Sequence, residues 1–480
     1  MRYEQDESYV GRTFDSLEGL SDKTLKAIAE MGFATMTEIQ AKSLPHLLKG
    51  SHLVGTAKTG AGKTLAFLIA AVEWVHRMKV KPRNGTCSII LSPTRELCLQ
   101  TFTVLKRLMK YHSQTCFRIV GGGNRKEESE RLWNGANILV ATPGRLLDHM
   151  QNTEGFIYKS VFNVIIDEAD RMMDLGFEAD IRRILALLKN ENRQHIVFTA
   201  TVNKNIDSLK SVVFQNMKPV YVGMPEPEET PTVSTLTQCY LVYRSEERFP
   251  ALYALLRAYV TKKVIVFFST CTSVRFHHDL LNFINVDCMY YHGQLKQNIR
   301  ERTFRKFTKI KSGILLCTDI AARGLDIPGV DLIIQYDPPE DTNEYLHRVG
   351  RTARGEGVSG KAILFLRPEE ERFLALMQHA KIPLHNGRLK SQCFEHYNIQ
   401  PVMEEVVNTN FHLRPLALDA FRAYVRSYAS HRIKFAFDAD KLDLDAVASS
   451  FGLKRAPPLD APLKKIQHKK KRRGYVDNTF

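Results

Sequence analysis

Cysteine is sparse in this sequence, and none of it forms a metal-binding pair. The eight cysteines stand at positions 87, 98, 116, 239, 271, 288, 317 and 393. No two have the Cys-x-x-Cys spacing that zinc sites use, which argues against a structural zinc site. Several lie inside apolar runs, so we expect small buried side chains in a reducing compartment.

Long apolar runs are also missing. No stretch approaches the length of about 18 apolar residues that a membrane-spanning helix needs, and no N-terminal signal segment is visible. We therefore expect an intracellular, soluble protein with no membrane partner. Separately, we expect it to be monomeric. Its 480 residues leave room for two or three domains.

Acidic residues are the minority charge. The chain has 52 Asp and Glu against 68 Lys and Arg, a net charge of +16. A surplus of this size predicts a polyanionic partner, and nucleic acid is the first candidate. Seven of the ten residues from 464 to 473 are Lys or Arg, and without them the chain still carries +9. The alternative, a basic tail on a neutral body, therefore explains only part of the charge.

A glycine-rich loop is the most informative feature that is present. Residues 57–64 read Ala-Lys-Thr-Gly-Ala-Gly-Lys-Thr, between an apolar strand pattern and an apolar helical pattern. A strand, loop and helix in this order direct backbone N–H groups and the helix dipole at phosphate oxygens. Lys63 would then reach the β- and γ-phosphates and Thr64 would hold Mg²⁺. Ala57 replaces the first glycine of the usual pattern.

Two adjacent acids end an apolar strand further along the chain. Asp167 and Glu168 follow Val-Ile-Ile at 164–166. The carboxyl ends of parallel strands line one crevice, so we expect both acids beside the phosphate loop. Asp167 is suited to hold Mg²⁺, and Glu168 to orient or deprotonate the attacking water. The alternative is an ordinary acidic turn between a strand and a helix.

Residues 167–170 spell Asp-Glu-Ala-Asp, and the chain resembles the DEAD-box ATP-dependent RNA helicases. Other motifs follow in the order of that family from about residue 14 to residue 384. They lie at 32–40 (the adenine-reading Q motif, with Phe14 upstream), 93–97, 122–123, 142–145, 199–201, 264–267, 297–300, 318–319, 322–326 and 347–354. The resemblance implies two RecA-like domains that close on ATP and RNA, bend one RNA strand and reopen after hydrolysis.

The resemblance also implies the residues that hydrolyse ATP. The expected catalytic residues are Lys63, Glu168, Asp167, Arg351 and Arg354. The expected Mg²⁺ ligands are Thr64 and Asp167. Arg351 and Arg354 would bring positive charge to the γ-phosphate from the second domain. The alternative is that both arginines simply belong to a positively charged helix face that is exposed to solvent.

The nucleotide itself has a wider set of expected contacts. They are Phe14, Phe33, Gln40, Ala57, Lys58, Thr59, Gly60, Ala61, Gly62, Lys63, Thr64 and Asp326. A carboxamide donates and accepts at once, so Gln40 is expected to read the adenine edge, unless it is an ordinary surface glutamine. Glu38 replaces the proline that is usual in this motif.

RNA is the expected partner, held by its sugar–phosphate backbone. The expected contacts are Arg95, Gly122, Gly123, Thr142, Gly144, Arg145, Arg300, Thr318 and Arg323. Small residues allow close approach and Arg and Thr donate to phosphate, so these contacts do not read base sequence. Coupling between the domains is expected from Thr199, Thr201, Asp170 and His347. The alternative for the two threonines is that they simply end a strand.

Short apolar runs recur between helical patterns in both halves, which predicts two doubly wound α/β domains. Strands are expected at 88–91, 117–120, 138–141, 164–166, 195–198, 264–268, 287–291, 313–317, 332–335 and 362–365. The expected domains are an N-terminal RecA-like ATP-binding domain (1–223), a linker (224–234), a second RecA-like domain (235–385), a helical C-terminal extension (386–460) and a basic disordered tail (461–480). A helix is expected at 441–453 in the extension.

The C-terminal extension indicates which subgroup of the family the chain resembles. Residues 421–431 and 441–444 resemble the small domain of nucleolar ribosome-assembly helicases, and 35–38, 79–86 and 112–115 resemble the large-subunit helicases associated with Set-one. This implies remodelling of pre-rRNA among pre-ribosomal proteins in the nucleus and nucleolus. The basic run at 469–473 suits nuclear targeting and rRNA binding, unless it only solubilises the chain.

Two other functions stay open at this point. One is an ATP-gated RNA clamp or assembly scaffold that seldom unwinds. The other is a translation-initiation or mRNA-remodelling helicase, against which the C-terminal extension argues. The RNA target site, the protein partners that stimulate turnover and the direction of unwinding are not readable in the sequence.

Overall fold

The computed structural model describes residues 9–57, 60–200, 204–215, 217–223, 232, 235–319, 327–353, 358–387 and 399–459. They form two compact units, one up to residue 229 and one from residue 230. Each unit contains one seven-stranded sheet. The paired strands are parallel throughout, which confirms the predicted fold class.

The strands of the first unit are short and apolar. They are β1 (Leu53–Thr56), β2 (Ser88–Leu91), β3 (Cys116–Ile119), β4 (Ile138–Ala141), β5 (Asn163–Ile166), β6 (Gln194–Thr199) and β7 (Val220–Val222). Their order in the sheet is β3-β4-β2-β5-β6-β1-β7. Alternate residues enter different cores: Ile138 and Val140 of β4 belong to one hydrophobic cluster, and Leu139 and Ala141 to another. The sheet therefore has an apolar layer on both faces, as a buried parallel sheet requires.

Helices cover the two faces of this sheet. They are α1 (Asp22–Glu30), α2 (Glu38–Leu48), α3 (Lys63–Arg77), α4 (Arg95–Leu108), α5 (Arg125–Trp133), α6 (Pro143–Asn152), α7 (Ala169–Asp174), α8 (Glu178–Leu187) and α9 (Lys204–Phe214). Residues of α1 to α4 pack in one cluster and residues of α6 to α8 in the other. None of the described helices of the chain has the length and apolar character needed to cross a bilayer.

The second unit repeats the architecture. Its strands are β8 (Leu236–Val242), β9 (Lys263–Phe267), β10 (Met289–Tyr291), β11 (Gly313–Cys317), β12 (Leu332–Gln335), β13 (Gly360–Leu366) and β14 (His385–Asn386). Its helices are α10 (Arg248–Ala258), α11 (Cys271–Phe283), α12 (Gln297–Lys309), α13 (Thr342–Val349) and α14 (Phe373–His379). The strand order, β10-β11-β9-β12-β13-β8-β14, matches the first sheet position by position.

Three helices follow the second sheet. They are α15 (Gln400–Thr409), α16 (Leu413–Ala429) and α17 (Leu444–Ser449). The helix expected at 441–453 is shorter, because the Asp443 side chain accepts from the amides of Asp445 and Ala446 at 3.1 and 3.0 Å and caps a helix that begins at Leu444. Strands β7, β8 and β14 were not predicted. The sequence of β8 mixes Thr, Gln, Cys and Tyr with two leucines and does not alternate cleanly.

Candidate nucleotide and RNA site

Most predicted site residues of the first unit follow the carboxyl ends of its strands. In a parallel sheet these ends lie along one edge. The residues expected to bind ATP follow β1 and β5, with β6 between those two strands. The residues expected to bind RNA follow β2, β3 and β4 in the other half of the sheet. Because β2 pairs with β5, the two groups adjoin.

The phosphate loop has the backbone that glycine permits. Gly60 and Gly62 have φ angles of +86° and +92°, in the left-handed region. Gly62 caps α3, and Lys63 and Thr64 are the first two residues of that helix. Lys63 Nζ donates to the carbonyl oxygen of Ala57 at 2.5 Å. The ammonium group therefore lies against the loop that is expected to hold phosphates.

Gln40 is attached to this loop. Its side chain is 3% exposed, which excludes an ordinary surface glutamine. Its Oε1 accepts from the amide of Thr37 at 2.9 Å, and its Nε2 donates to the carbonyl oxygen of Gly62 at 3.0 Å. A Cβ at Gly62 would lie 2.5 Å from that Nε2, so glycine is needed there for space as well. The Thr37 hydroxyl donates to the carbonyl oxygen of Ala61 at 2.8 Å, which joins the adenine motif to the phosphate loop a second time.

The two aromatic residues of the adenine motif differ in exposure. Phe33 is 45% exposed and follows Gly32, whose φ is +84°. Phe33 therefore offers surface on which a base can stack. Phe14 is 4% exposed and packs in the same hydrophobic cluster as Ile39. Burial leaves Phe14 almost no surface for its predicted contact with ATP, so in this structure it supports the motif by packing.

Asp167 follows β5 as a buried carboxylate. It is 3% exposed, and its Oδ1 accepts from the amide of Glu168 at 3.0 Å. Burial, helped by the negative charge of Glu168, raises the pKa of Asp167 to about 7 against the attraction of Lys63. A bound cation would reverse this shift. A carboxylate and the hydroxyl of Thr64 are oxygen donors of the kind that Mg²⁺ prefers, so these residues fit the ion.

Glu168 is held in a strained backbone conformation. Its φ is +47° and its ψ is +57°, a left-handed geometry that costs a residue with a side chain on the order of 1–3 kcal/mol. The side chain is 8% exposed, and its Oε2 is buried with no hydrogen-bond partner among the described residues. An acceptor in this condition is suited to bind and orient a water molecule.

Thr199 ends the strand between the phosphate loop and the two acids. It pairs with Thr56 of β1, and β6 pairs with β5 on its other side. Its side chain is fully buried, and its carbonyl oxygen accepts from the amide of Ala57 at 3.2 Å. Asp170 is also buried and accepts from the amide of Arg171 at 3.0 Å. Both residues are placed beside the ATP motifs, and their role in domain coupling stays a prediction.

The RNA residues predicted in the first unit lie at three adjoining junctions between a strand and the helix that follows it. They are Arg95, Gly122, Gly123, Thr142, Gly144 and Arg145. A Cβ at Gly122 would lie 2.5 Å from the guanidinium of Arg95, and Gly122 has a φ of +80°. Arg145 Nη2 donates to the carbonyl oxygen of Gly123 at 3.1 Å. Arg145 therefore fixes the glycine turn by a hydrogen bond, and the guanidinium of Arg95 packs close to it.

Glu128 of α5 organises this region, and sequence reasoning missed it. It is 6% exposed; its Oε2 accepts from Arg145 Nε at 2.7 Å and lies 3.0 Å from His149 Nε2, and its Oε1 accepts from the amide of Val120 at 3.2 Å. Burial alone would raise the pKa of Glu128, but the hydrogen bonds from His149 and Arg145 hold it below its usual value. The neighbouring Glu127 is exposed, and nothing in the sequence distinguishes the two.

The second unit also places predicted residues at strand ends. Thr318 follows β11, and its amide donates to the carbonyl oxygen of Tyr291 at 3.3 Å. Arg300 is 5% exposed in the first turns of α12. Burial lowers the pKa of His292, and the nearby charge of Arg300 adds to that shift. These residues form the part of the predicted RNA surface that the second unit contributes.

Helix α13 carries the arginine motif. Arg351 is 2% exposed and donates from Nε to the carbonyl oxygen of His347 at 3.1 Å, so it is not a solvated cation. His347 is 5% exposed. Arg348, which had no predicted role, is 1% exposed and donates from Nε and Nη2 to the two carboxylate oxygens of Asp319 at 2.6 and 2.9 Å. This two-point ion pair ties α13 to the residue after Thr318.

Six predicted site residues lie outside the described residues. They are Lys58, Thr59, Thr201, Arg323, Asp326 and Arg354. The predicted tail at 461–480 and all of the predicted linker at 224–234 except residue 232 also lie outside them. Their roles stay predictions.

Three family models match the chain in the order of its motifs. They describe a DEAD/DEAH box helicase (residues 37–209), a helicase conserved C-terminal domain (247–356) and the C-terminal extension of ATP-dependent rRNA helicases like SPB4 (410–459). The chain is 51% identical over 450 residues to a probable ATP-dependent RNA helicase, pitchoune, of Drosophila melanogaster, covering 94% of this chain and 66% of that protein. It is 46% identical over 451 residues to the ATP-dependent RNA helicase HAS1 of Kluyveromyces lactis, covering 94% and 90%.

Solved structures agree with these matches. The fold is similar to that of Mss116p bound to single-stranded RNA and AMP-PNP, with a TM-score of 0.83, 27% identity and coverage of 94% of this chain and 92% of that one. It is also similar to Saccharomyces cerevisiae Dbp5 bound to RNA and ADP BeF3, with a TM-score of 0.70, 27% identity and coverage of 78% and 95%. The chain therefore belongs to the DEAD-box family of ATP-dependent RNA helicases, with two tandem RecA-like domains and an SPB4-like C-terminal extension.

Proposed function

We propose that this protein uses ATP hydrolysis to unwind short RNA duplexes and remodel RNA–protein complexes on pre-rRNA during assembly of the large ribosomal subunit. The main observation behind the proposal is the burial, backbone conformation and hydrogen bonding of Glu168. It is a buried carboxylate in a strained backbone conformation, with one oxygen left to accept from water, directly after Asp167. Such strain is characteristic of functional sites.

The first unit contributes most of the hydrolytic chemistry. The glycine backbone and the N-terminus of α3 receive the phosphates, with Lys63 as their cation. Glu168 orients the attacking water and accepts its proton. Mg²⁺, held by Thr64 and Asp167, would supply positive charge to the phosphate oxygens. Arg351 and Arg354 are the arginines proposed to add charge at the γ-phosphate.

The RNA substrate follows from charge and from the relatives. The net charge of +16 suits a polyanion. The family model of the extension is described as that of an rRNA helicase, and relatives bear the name HAS1. We propose pre-ribosomal proteins as partners, a monomeric state, and a place in the nucleus and nucleolus to which residues 461–480 direct the chain. We also propose, without change, the domain boundaries that were expected from the sequence.

The ATPase rate with and without structured pre-rRNA, for the wild type and Glu168→Gln, tests the proposal. RNA should stimulate the wild type several-fold. Glu168→Gln should lose turnover by about 10²–10⁴-fold, the usual contribution of a general base, while it still binds RNA in the presence of ATP. A wild-type rate that ignores RNA, or full turnover by Glu168→Gln, would contradict the proposed site. A size-matched unrelated RNA tests the preference for pre-rRNA.

The ATP-gated RNA clamp is separated from the helicase by a second measurement. A helicase releases the strand of a short duplex in each ATPase cycle. A clamp shows RNA binding that outlasts many such cycles and releases little strand. Both rates are obtained from one labelled duplex with an unlabelled competitor strand.

A further inference from the structure

The C-terminal extension is built into the second unit. Ala417, Phe421 and Tyr424 of α16 lie in the same hydrophobic cluster as Phe267 and Ile333 of the sheet. Residues of α15 and α17 belong to this cluster too. Displacement of the extension would therefore expose the core that supports the sheet.

A series of ion pairs and hydrogen bonds, centred on buried arginines, runs from the Thr318–Asp319 segment toward this extension. Arg348, which binds the carboxylate of Asp319, also donates from Nη1 to the carbonyl oxygen of Asp337 at 2.7 Å. The Asp337 side chain accepts from Arg248 Nη2 at 2.8 Å. Arg248 and Arg348 are 3% and 1% exposed, so solvent screens these contacts much less than it screens surface pairs.

This series of contacts ends at Tyr424 of α16. The Arg248 guanidinium lies 4.3 Å from the ring centre of Tyr336 and 6.0 Å from that of Tyr424. The Tyr424 hydroxyl accepts from Arg367 Nη2 at 2.5 Å, and Arg367 is paired with Glu370 at 2.9 Å. One side chain of the extension thus touches two buried arginines of the helicase core.

A second contact reaches the loop that precedes α13. His431, just after α16, lies 3.2 Å through Nε2 from the carbonyl oxygen of Pro339, and its Nδ1 accepts from the amide of Ile433 at 3.1 Å. A carbonyl can only accept, so Nε2 carries the proton and the ring is neutral. Burial lowers the pKa of His431 to about 4, which agrees with that state.

The same loop starts α13. Asp341 caps the helix by accepting from the amide of Glu344 at 2.8 Å. Arg432 lies 3.2 Å from Glu340, but both side chains are well exposed and this pair contributes little. His431, which is 8% exposed and stacks on Phe437 at 3.8 Å between ring centres, is therefore the main polar link between the extension and this loop.

We propose that the C-terminal extension is a positioning element for the helicase reaction: through His431 and Tyr424 it sets the placement of α13, and with it Arg348 and the Thr318–Asp319 segment. This inference rests on the proposed function, because it assigns these residues to RNA-stimulated turnover. His431 touches neither substrate in this account. It acts through the loop at 338–341.

Full-length protein with His431→Leu tests the proposal, with His431→Gln as the conservative variant. Leucine keeps the bulk but removes the donor to Pro339, whereas glutamine retains a side-chain N–H. His431→Leu should lower kcat of the RNA-stimulated ATPase by about tenfold at saturating ATP and RNA, since small misplacements of reacting groups have effects of this size or larger. The KM for ATP should stay within about twofold, and His431→Gln should recover most of kcat.

His412→Leu is the matched control. His412 lies at the start of α16, is 63% exposed, and pairs through its side chain with Asp279 of α11 at 2.9 Å, not with the loop before α13. This variant should keep the wild-type kcat. If His431→Leu equals His412→Leu in kcat, the proposal is wrong.

Tyr424→Phe keeps the inference testable if His431→Leu does not fold. It removes only the hydroxyl that accepts from Arg367 and preserves the ring. We expect a fall in kcat of about threefold, with a cooperative thermal transition at a lower temperature because a buried donor of Arg367 loses its acceptor. Unchanged kcat in every folded variant overturns the inference while RNA still stimulates the wild type. A wild type that RNA does not stimulate contradicts the proposed function instead.

Discussion

The two sheets share a strand order, yet the buried aspartates in their middles behave in opposite ways. Asp167 follows β5, and Asp337 lies two residues after β12, the strand at the same position of the second sheet. They are 3% and 2% exposed. Burial raises the pKa of Asp167 to about 7, with Glu168 adding to the shift. Burial acts on Asp337 too, but the charge of Arg248 together with the hydrogen bonds from Arg248 and Ser269 outweighs it and lowers the pKa of Asp337.

The difference lies in where each unit obtains its cation. The second unit carries one in its own chain, because Arg248 binds Asp337 at 2.8 Å. In the first unit, Glu168 adds a second acid next to Asp167, and the protein does not balance their negative charge. A bound Mg²⁺ would correct that imbalance. The same strand order therefore supports a site in the first unit whose charge a bound cation would balance, and a buried ion pair in the second unit that needs no ligand.

Removing the ammonium group of Lys63, which lies against the phosphate loop, should have the largest effect. Lys63→Met should lower kcat of the RNA-stimulated ATPase by about 10²–10³-fold, the usual loss for one group that stabilises transition-state charge. Lys42→Met is the control, because Lys42 only pairs with the exposed Glu38 on α2. Retention of more than half of the wild-type kcat by Lys63→Met would contradict the assigned phosphate site.

Removing the cation of the second unit should affect folding instead. Arg248→Met leaves Asp337 buried without its partner, which should lower the free energy of unfolding by about 3–5 kcal/mol. Adding Asp337→Asn removes the unpaired charge and should restore at least half of that loss. Urea unfolding of the three proteins measures this. If the double variant is less stable than Arg248→Met, the charge pair is not the cause.

The RNA half of the first sheet depends on a weaker buried pair. Glu128→Gln should weaken RNA affinity about tenfold, because Arg145 loses a charged partner worth about 1.5–3 kcal/mol. The kcat at saturating RNA should change little. Glu127→Gln is the control, since Glu127 makes only an exposed pair with Arg131. Equal RNA affinities of the two variants, in a titration at fixed salt, would exclude the role given to Glu128.

The smallest effect concerns pH. With EDTA and no nucleotide, Asp167 keeps a proton in the folded state up to about pH 7 that the unfolded chain releases near the ordinary aspartate pKa of 3.8. The stabilisation is thus present at low pH and lost as pH rises through 7, by about 1 kcal/mol between pH 6 and pH 7. Asp167→Asn should lack this loss. Identical pH profiles of unfolding would show that Asp167 is already ionised.

Local features were predictable from the sequence. The phosphate loop, the two acids and most strands are encoded within windows of four to eight residues, where periodicity and glycine spacing are informative. Six of the ten expected strands differ from the structure in their bounds. The strand at 117–120, for example, is found at Cys116–Ile119. The order of the motifs also led to the correct family.

Pairs of residues that are distant in sequence were not predictable. Arg145 and Glu128 are 17 positions apart, and Arg248 and Asp337 are 89 apart. Nothing in the sequence indicates these pairings until the fold brings the partners near, although Arg145 itself lies in a recognisable motif. The hydrogen bond from Gln40 to Gly62 was not predictable for the same reason, because a glutamine in a sequence does not indicate which carbonyl group its side chain will contact.

The backbone at Glu168 has a consequence for how this protein can be improved. Glycine adopts a φ of +47° without strain, whereas glutamate does not. Replacing the residue by glycine would relieve that strain and remove the carboxylate at once. Selection for thermal resistance alone would therefore favour inactive molecules at this position, and only a joint selection for turnover keeps the glutamate.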